Sequence, residues 1–220
     1  MTVREKLPEP VAELRPRQTT DGPTLYLARH GETLWNREGR LQGRLDSPLT
    51  SHGKQQARRA GMTLAALIDE PGYFSLVCSP LGRAYHSMEL IASELGLDPK
   101  ACRIDRRLKE MSWGRWDGLT HWEIEDNFSQ ALDQREADPW RFAPPGGESY
   151  AMVAARLRPF LEEAVGHGRL IIIAHGIVSQ ILRGLYGRLM PDDIVRLPEP
   201  QDAVFRLEQG TVAAFAAEAA

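Results

Sequence analysis

The chain has 220 residues, 42% of them hydrophobic and 26% charged, and a formal net charge of −3. That length suits one sizeable α/β domain, and the composition excludes a globally disordered polypeptide. The slight negative charge gives no electrostatic case for nucleic acid or an anionic membrane as the main partner, so any bound anion has to sit in a local basic pocket.

Residues 1–23 hold Pro8, Pro10, Pro16 and Pro23 among many charges and predict an irregular N-terminal arm. They contain no apolar core of the signal-peptide type, and no apolar run reaches the roughly 18 residues that span a bilayer. A cytoplasmic location without membrane contact is expected. Residues 24–220 are expected to form one domain, opening with the strand "TLYLA" at 24–28. Gly53, Ala57, Ala60, Leu64 and Leu67 then recur at helical steps and define a narrow face suited to close packing on a sheet. "YFSLVCS" (73–79) predicts a second strand stopped by Pro80. Ala84, Met88, Ile91 and Leu95 mark the next helix, with Gly96 as its C-cap.

"CRIDRRL" (102–108) alternates as a strand with one polar face, and a loop rich in Gly and Trp follows it. Residues 120–147 read as an irregular, lid-like segment. Val153, Leu157, Phe160, Leu161 and Ala164 define a long helix closed by Gly166. "RLIIIAH" (169–175) is the most apolar strand, suited to a central parallel position covered on both faces. Ile177, Ile181, Leu182 and Leu185 give a further helix, and residues 203–215 a closing hairpin. Cys78 and Cys102, the only cysteines, predict buried free thiols of a reducing compartment.

Strands alternating with helices imply a three-layer αβα fold around a mostly parallel sheet, whose ligands gather beyond the carboxyl ends of the strands. Arg29 and His30 lie just past the first strand, Arg83 in the turn after the second, Glu110 after the third and His175 after the central one. Taken alone, Arg29 could be a surface charge, His30 a core-edge histidine and Glu110 the partner of Lys109 in a surface ion pair. Gathered at one edge, the set has a chemistry. Two guanidiniums can grip phosphate oxygens in bidentate fashion, and Gly31 and Gly176 let backbone N–H groups approach the same anion. A neutral imidazole flanked by arginines is a nucleophile near neutral pH, and a carboxylic acid at the rim can protonate a leaving alkoxide. The set suits phosphoryl transfer through a phosphohistidine. Zinc-type spacings are absent and the arginines would repel a cation, so no metal and no cofactor is expected.

"LARHGETLWN" (27–36) resembles the signature of the histidine phosphatase superfamily, the phosphoglycerate mutase-like proteins. "LQGRLDSPLTSHGKQQA" (41–57), "CSPLGRAYHS" (78–87), "LKEMSWGRWDGLT" (108–120), "PPGGES" (144–149) and "IIIAHG" (171–176) support the resemblance, in the family's order. The resemblance implies a phosphoglycerate mutase-like fold with His30 as the phosphorylated nucleophile. It implies that Arg29, Arg83 and His175 hold the phosphoryl oxygens, that Glu110 is the proton donor, and that Asn36, Gln42, Gly43 and Gly176 line the pocket. His52, His86, His121 and His167 match nothing in it and are expected at the surface or at helix caps. Trp113 and Trp116 fit either core packing or a wall over the substrate.

Two activities share such a site. Mutases of the family carry a longer, basic segment after the acid-bearing loop, whereas here Glu123, Glu125, Asp126, Asp133, Glu136 and Asp138 face only Arg135. The Glu110…Gly114…Trp116 spacing also resembles the phosphatase branch. A phosphomonoesterase acting on a small phosphorylated metabolite is the expectation. A cofactor-dependent phosphoglycerate mutase is the alternative, and a non-catalytic phosphate-binding module the third reading. A homodimer stays open.

Overall fold

The computed structural model describes residues 23–217; the expected arm lies outside the described residues but for Pro23. In chain order the elements are β1 (Thr24–Arg29), α1 (Leu34–Arg37), α2 (Ser51–Leu67), β2 (Ser75–Cys78), α3 (Gly82–Leu95), β3 (Arg103–Ile104), α4 (His121–Ala137), α5 (Tyr150–His167), β4 (Arg169–Ala174), α6 (Gly176–Tyr186), α7 (Pro191–Ile194), β5 (Ala203–Glu208) and β6 (Thr211–Ala216). The strands form one sheet in the order β3-β2-β4-β1-β5-β6. The first four in that order run parallel, and β5 and β6 continue antiparallel as a hairpin. Gln209 and Gly210 both adopt positive φ at its turn, as a tight hairpin turn requires.

Strand periodicity explains the layers. Leu25, Leu27, Val77 and Ile172 face Leu157, Phe160 and Ile181 of α5 and α6. The alternate residues Tyr26, Ala28, Cys78, Ile171 and Ile173 face Leu64, Met88 and Ile91 of α2 and α3. Each fully buried aliphatic side chain contributes about 1.5–3 kcal/mol, and both faces of the central strands do so. The result is the expected αβα sandwich with a mostly parallel sheet. Among the described residues no helix is long and apolar enough to cross a membrane.

Five local expectations need correction. Residues 120–147 are irregular only from 138 onwards: α4 follows Thr120, started by a capping box in which Thr120 and Glu123 satisfy each other's backbone N–H groups. Only Ile124 and Leu132 of this helix are buried, and it kinks at Phe128, so an apolar stripe was hardly visible. The third strand is only two residues long. Asp105 and its own side chain turn the chain into a 3-10 helix over Arg106–Leu108. Cys102 precedes this strand and is half-buried, whereas Cys78 is buried as expected. The long helix is closed by Gly168 rather than Gly166, and the second strand starts after a short 3-10 turn at Pro71–Tyr73.

The N-terminus of α2 lies against the chain leaving β1. A Cβ placed on Gly53 would meet the Glu32 carbonyl oxygen at 2.0 Å, and one on Gly31 would meet the Gly53 carbonyl oxygen at 2.0 Å. Both obstacles are backbone and cannot rotate away. Gly53→Ala is therefore expected to destabilise the fold by about 1–3 kcal/mol, the usual cost of overpacking. The measurement is a denaturant midpoint shift at constant slope; an unmoved midpoint would show that the helix can retreat freely.

Candidate active site

The register of β1 and β4 pairs Arg29 with Ala174, so the next residues, His30 and His175, emerge side by side beyond the carboxyl edge of the sheet. The His30 N–H donates to the Ala174 carbonyl at 3.0 Å, and the two imidazole centroids are 5.2 Å apart. On the other flank of β4, the Ser79 N–H donates to Ile173 at 3.1 Å. Pro80 then turns the chain so that Arg83 falls in the first turn of α3. Past β3, the loop brings Glu110 back to the start of α6, where the Ile177 N–H donates to its Oε2 at 3.3 Å. Arg29, His30, Arg83, Glu110 and His175 thus come together at one edge.

His30 is buried and its orientation is defined at both ring nitrogens. Nδ1 lies 2.8 Å from the Gly31 carbonyl oxygen, which can only accept, so Nδ1 carries the proton. Nε2 keeps its lone pair and accepts from Arg83 Nε at 3.2 Å. Burial, then the charges of Arg83 and Arg29, hold the His30 pKa well below the ordinary histidine value. The neutral, nucleophilic form therefore persists into mildly acidic solution. His175 is held neutral in the same way, first by burial and then by Arg83 and His30.

The buried Arg83 donates through Nη2 to the Gly43 carbonyl at 2.8 Å and through Nη1 to Leu45 at 2.7 Å and to the Asp46 carboxylate at 3.2 Å. Arg29 donates to the Glu199 backbone carbonyl and has the Glu199 carboxylate at 3.8 Å, while its buried Nε has no protein partner. Glu110 is 8% exposed and receives the Met111 N–H on Oε1 at 2.9 Å. It is no surface partner of Lys109.

The other expected pocket residues divide. Gly43 adopts φ +49°, which favours glycine, and offers its carbonyl to Arg83. Gln42 is buried with Oε1 unpartnered. Asn36 completes the capping box of the short α1 by accepting the Thr33 N–H, and reaches His30 only indirectly, through Gln201, whose amide donates to both the His30 carbonyl at 3.2 Å and Asn36 Oδ1 at 3.1 Å. At Gly176 an added Cβ would lie 1.7 Å from Glu199 Oε2, so a larger residue there would displace the Glu199 carboxylate.

A cavity of about 250 Å³ opens beside α4, lined by Trp113, Trp116, Tyr150, Arg135 and Glu199 among others, and by Ile177, whose N–H donates to Glu110. Trp116 packs against Phe128 and Phe142 and is core; Trp113 stacks on it and has the Arg135 guanidinium 5.0 Å from its ring centroid. The tryptophans are therefore both core and cavity wall. His121 is exposed at the start of α4, as expected, and also borders this cavity. His52 and His167 are exposed and His86 is half-buried in α3.

Sequence reasoning missed Ser79, Glu199 and Gln201. Ser79 stood in the "CSPLGRAYHS" stretch, directly at a strand end, and could have been found there. Glu199 and Gln201 lie in "PEPQDA" (198–203), which has neither periodicity nor motif. Partial burial raises the Glu199 carboxyl above the ordinary carboxylate value, and Glu110 nearby raises it further against the pull of Arg29.

The family model described as histidine phosphatase superfamily (branch 1) matches residues 25–211. A probable phosphoglycerate mutase GpmB from Shigella dysenteriae serotype 1 is 37% identical over 161 residues, 70% of this chain and 69% of that protein. A glucosyl-3-phosphoglycerate phosphatase from Mycobacterium tuberculosis is 39% identical over 142 residues, 64% of this chain and 60% of that protein. Among solved structures, a mycobacterial glucosyl-3-phosphoglycerate phosphatase in complex with VO3 is 30% identical, with a TM-score of 0.73 over 88% of this chain and 96% of that one. YhfR of Bacillus stearothermophilus is 32% identical, with a TM-score of 0.73 over 88% of this chain and 95% of that one.

Proposed function

This chain belongs to the histidine phosphatase superfamily, and from that premise we propose that it is a metal-independent phosphomonoesterase acting on a small phosphorylated metabolite through a phosphohistidine on His30. The observation that carries the proposal is the tautomer of His30: Nδ1–H is tied to the Gly31 carbonyl, and the Nε2 lone pair faces the Arg83 guanidinium. A phosphate bound to Arg83 stands in front of the nucleophilic nitrogen.

In the first step Nε2 attacks phosphorus, the ester P–O bond breaks, and the departing alkoxide takes a proton from Glu110. In the second, water attacks phosphorus and gives its proton to the Glu110 carboxylate, the P–N bond breaks, and phosphate leaves. Arg29, Arg83 and His175 surround the transferring oxygens with donors and charge throughout. The leaving group occupies the cavity walled by Trp113, α4 and Ile177, the residue whose N–H contacts Glu110.

Relatives of the chain are named both as phosphatases and as a probable mutase. The phosphatase reading is favoured by α4, whose Glu123, Glu125, Asp126, Asp133 and Glu136 outnumber its one cation, Arg135. A mutase must hold a bisphosphorylated intermediate, and among the cavity-lining side chains of α4 only Arg135 offers a fixed positive charge to a second phosphate. The test is phosphate release from p-nitrophenyl phosphate and from a panel of phosphorylated metabolites that includes both phosphoglycerates and glucosyl-3-phosphoglycerate. Release without interconversion of the phosphoglycerates is expected; interconversion without release would make the protein a mutase. The unpaired thiols of Cys78 and Cys102 accord with a reducing, cytoplasmic location.

Activity is also expected to survive exhaustive chelation. Arg29 and Arg83 supply the positive charge that a divalent ion brings elsewhere. A strict requirement for an added metal after chelation would overturn this part of the reading.

A further inference from the structure

His175 is fully buried, and its two ring nitrogens are not equivalent. Nε2 lies 2.7 Å from Ser79 Oγ, while Nδ1 is buried without any protein partner. The ring leans towards His30, so an anion held there lies beside it. A neutral imidazole has one N–H to place. On Nε2 it would donate to Ser79 and leave a lone pair at Nδ1 facing the transferring oxygens, which repels them. On Nδ1 it turns the same nitrogen into a donor.

We propose that Ser79 is a positioning residue that decides this choice: its hydroxyl donates to His175 Nε2, and so obliges Nδ1 to carry the proton that binds a phosphoryl oxygen. The assignment rests on the phosphoryl-transfer reading above. Three features favour it. Ser79 Oγ already accepts a hydrogen bond, from the Leu81 N–H at 3.4 Å, which leaves its own proton free to be donated. The Ser79 backbone is bonded to Ile173, two residues before His175, so the β2–β4 pairing fixes the distance between the two side chains. Pro80 further holds Ser79 in an extended backbone conformation, since the residue before proline avoids the helical region. His30 uses a backbone carbonyl to fix its Nδ1–H; His175 has no such carbonyl partner and relies on a hydroxyl at the opposite nitrogen.

The test combines rate with a direct reading of the tautomer. Protein labelled with ¹⁵N-histidine gives separate nitrogen shifts for protonated and bare ring positions, and a His175→Gln variant assigns the signal. In the native protein His175 is expected to be protonated at Nδ1. Ser79→Ala removes one oxygen and adds nothing, so the fold should persist. In that variant the His175 proton is expected to move to Nε2 or to divide between the two nitrogens. Its kcat on p-nitrophenyl phosphate should fall about 10- to 100-fold, short of the roughly 10²–10³ that outright loss of one oxyanion donor costs. Ser79→Thr, which keeps the hydroxyl, should restore the Nδ1 tautomer and most of the rate. An unchanged tautomer in Ser79→Ala overturns the proposal, whatever the rate does. A flipped tautomer at full kcat overturns it equally. A native protein that hydrolyses no phosphate ester removes the underlying reading, and this assignment with it.

Discussion

His30→Ala is expected to abolish turnover on every substrate, while inorganic phosphate should still bind. Phosphate-monoester hydrolysis is among the slowest uncatalysed reactions, with enzymic accelerations that approach about 10²¹-fold. Without Nε2 no covalent intermediate forms, and only the contribution of the charged pocket remains. Arg29 and Arg83 are anchored by Glu199, Gly43, Leu45 and Asp46 rather than by His30 alone, so the anion site outlasts the substitution. Phosphate inhibition or titration of the variant measures that directly and separates a chemical loss from a collapsed fold. In the native enzyme, acid-sensitive and alkali-stable phosphate should be trapped on His30 after rapid quenching during turnover. Substantial activity in the alanine variant, or phosphate found on a serine, would sink the covalent mechanism.

Glu110→Gln discriminates between leaving groups. An alkoxide is a poor leaving group and needs a proton as the ester bond breaks; p-nitrophenolate departs with little help. General acid catalysis is typically worth about 10²–10⁴-fold, and the gap between alkyl phosphates and p-nitrophenyl phosphate in the variant should fall in that range. Glutamine preserves the two backbone hydrogen bonds from Met111 and Ile177 through its carbonyl oxygen only in part, so stability should be checked alongside. The native rate should fall at low pH. On the acid side, rate is lost as His30 becomes protonated; because its pKa is depressed by burial and by two arginines, that limb lies below the ordinary histidine range. An equal loss on both substrates would assign Glu110 a binding role. No loss on either would move the acid to Glu199 or Asp117, whose carboxyls burial raises. Glu32 is a poor candidate, because hydrogen bonds from Thr50 and Arg37 hold its carboxyl low.

Much of the αβα framework could be read from residue spacing. "LIIIA" needs cover on both faces, and the structure places β4 between β1 and β2 with helices on either side. The apolar steps of α2, α3, α5 and α6 followed directly from the faces those helices bury. Where the spacing was weak, the reading failed. The α4 helix buries only two side chains, so tertiary context and a capping box define it more than hydrophobic periodicity does. The "CRIDRRL" stretch alternates like a strand, yet Asp105 hydrogen-bonds to the Arg107 N–H and bends the chain after Ile104.

The residue types at the strand ends, His30, Arg83, Glu110 and His175, were determined by the sequence alone. Parallel strands joined by helices deliver their carboxyl ends to one edge, whatever the details of packing. What only the tertiary structure decided is which atoms of these residues can act. The proton positions on His30 and His175 depend on Gly31 and Ser79, and the environment of Arg29 depends on Glu199, 170 residues away. The physical reason is that a tautomer or an ion pair is set by groups within about 3 Å to 4 Å, and a chain brings such groups together only after it has folded.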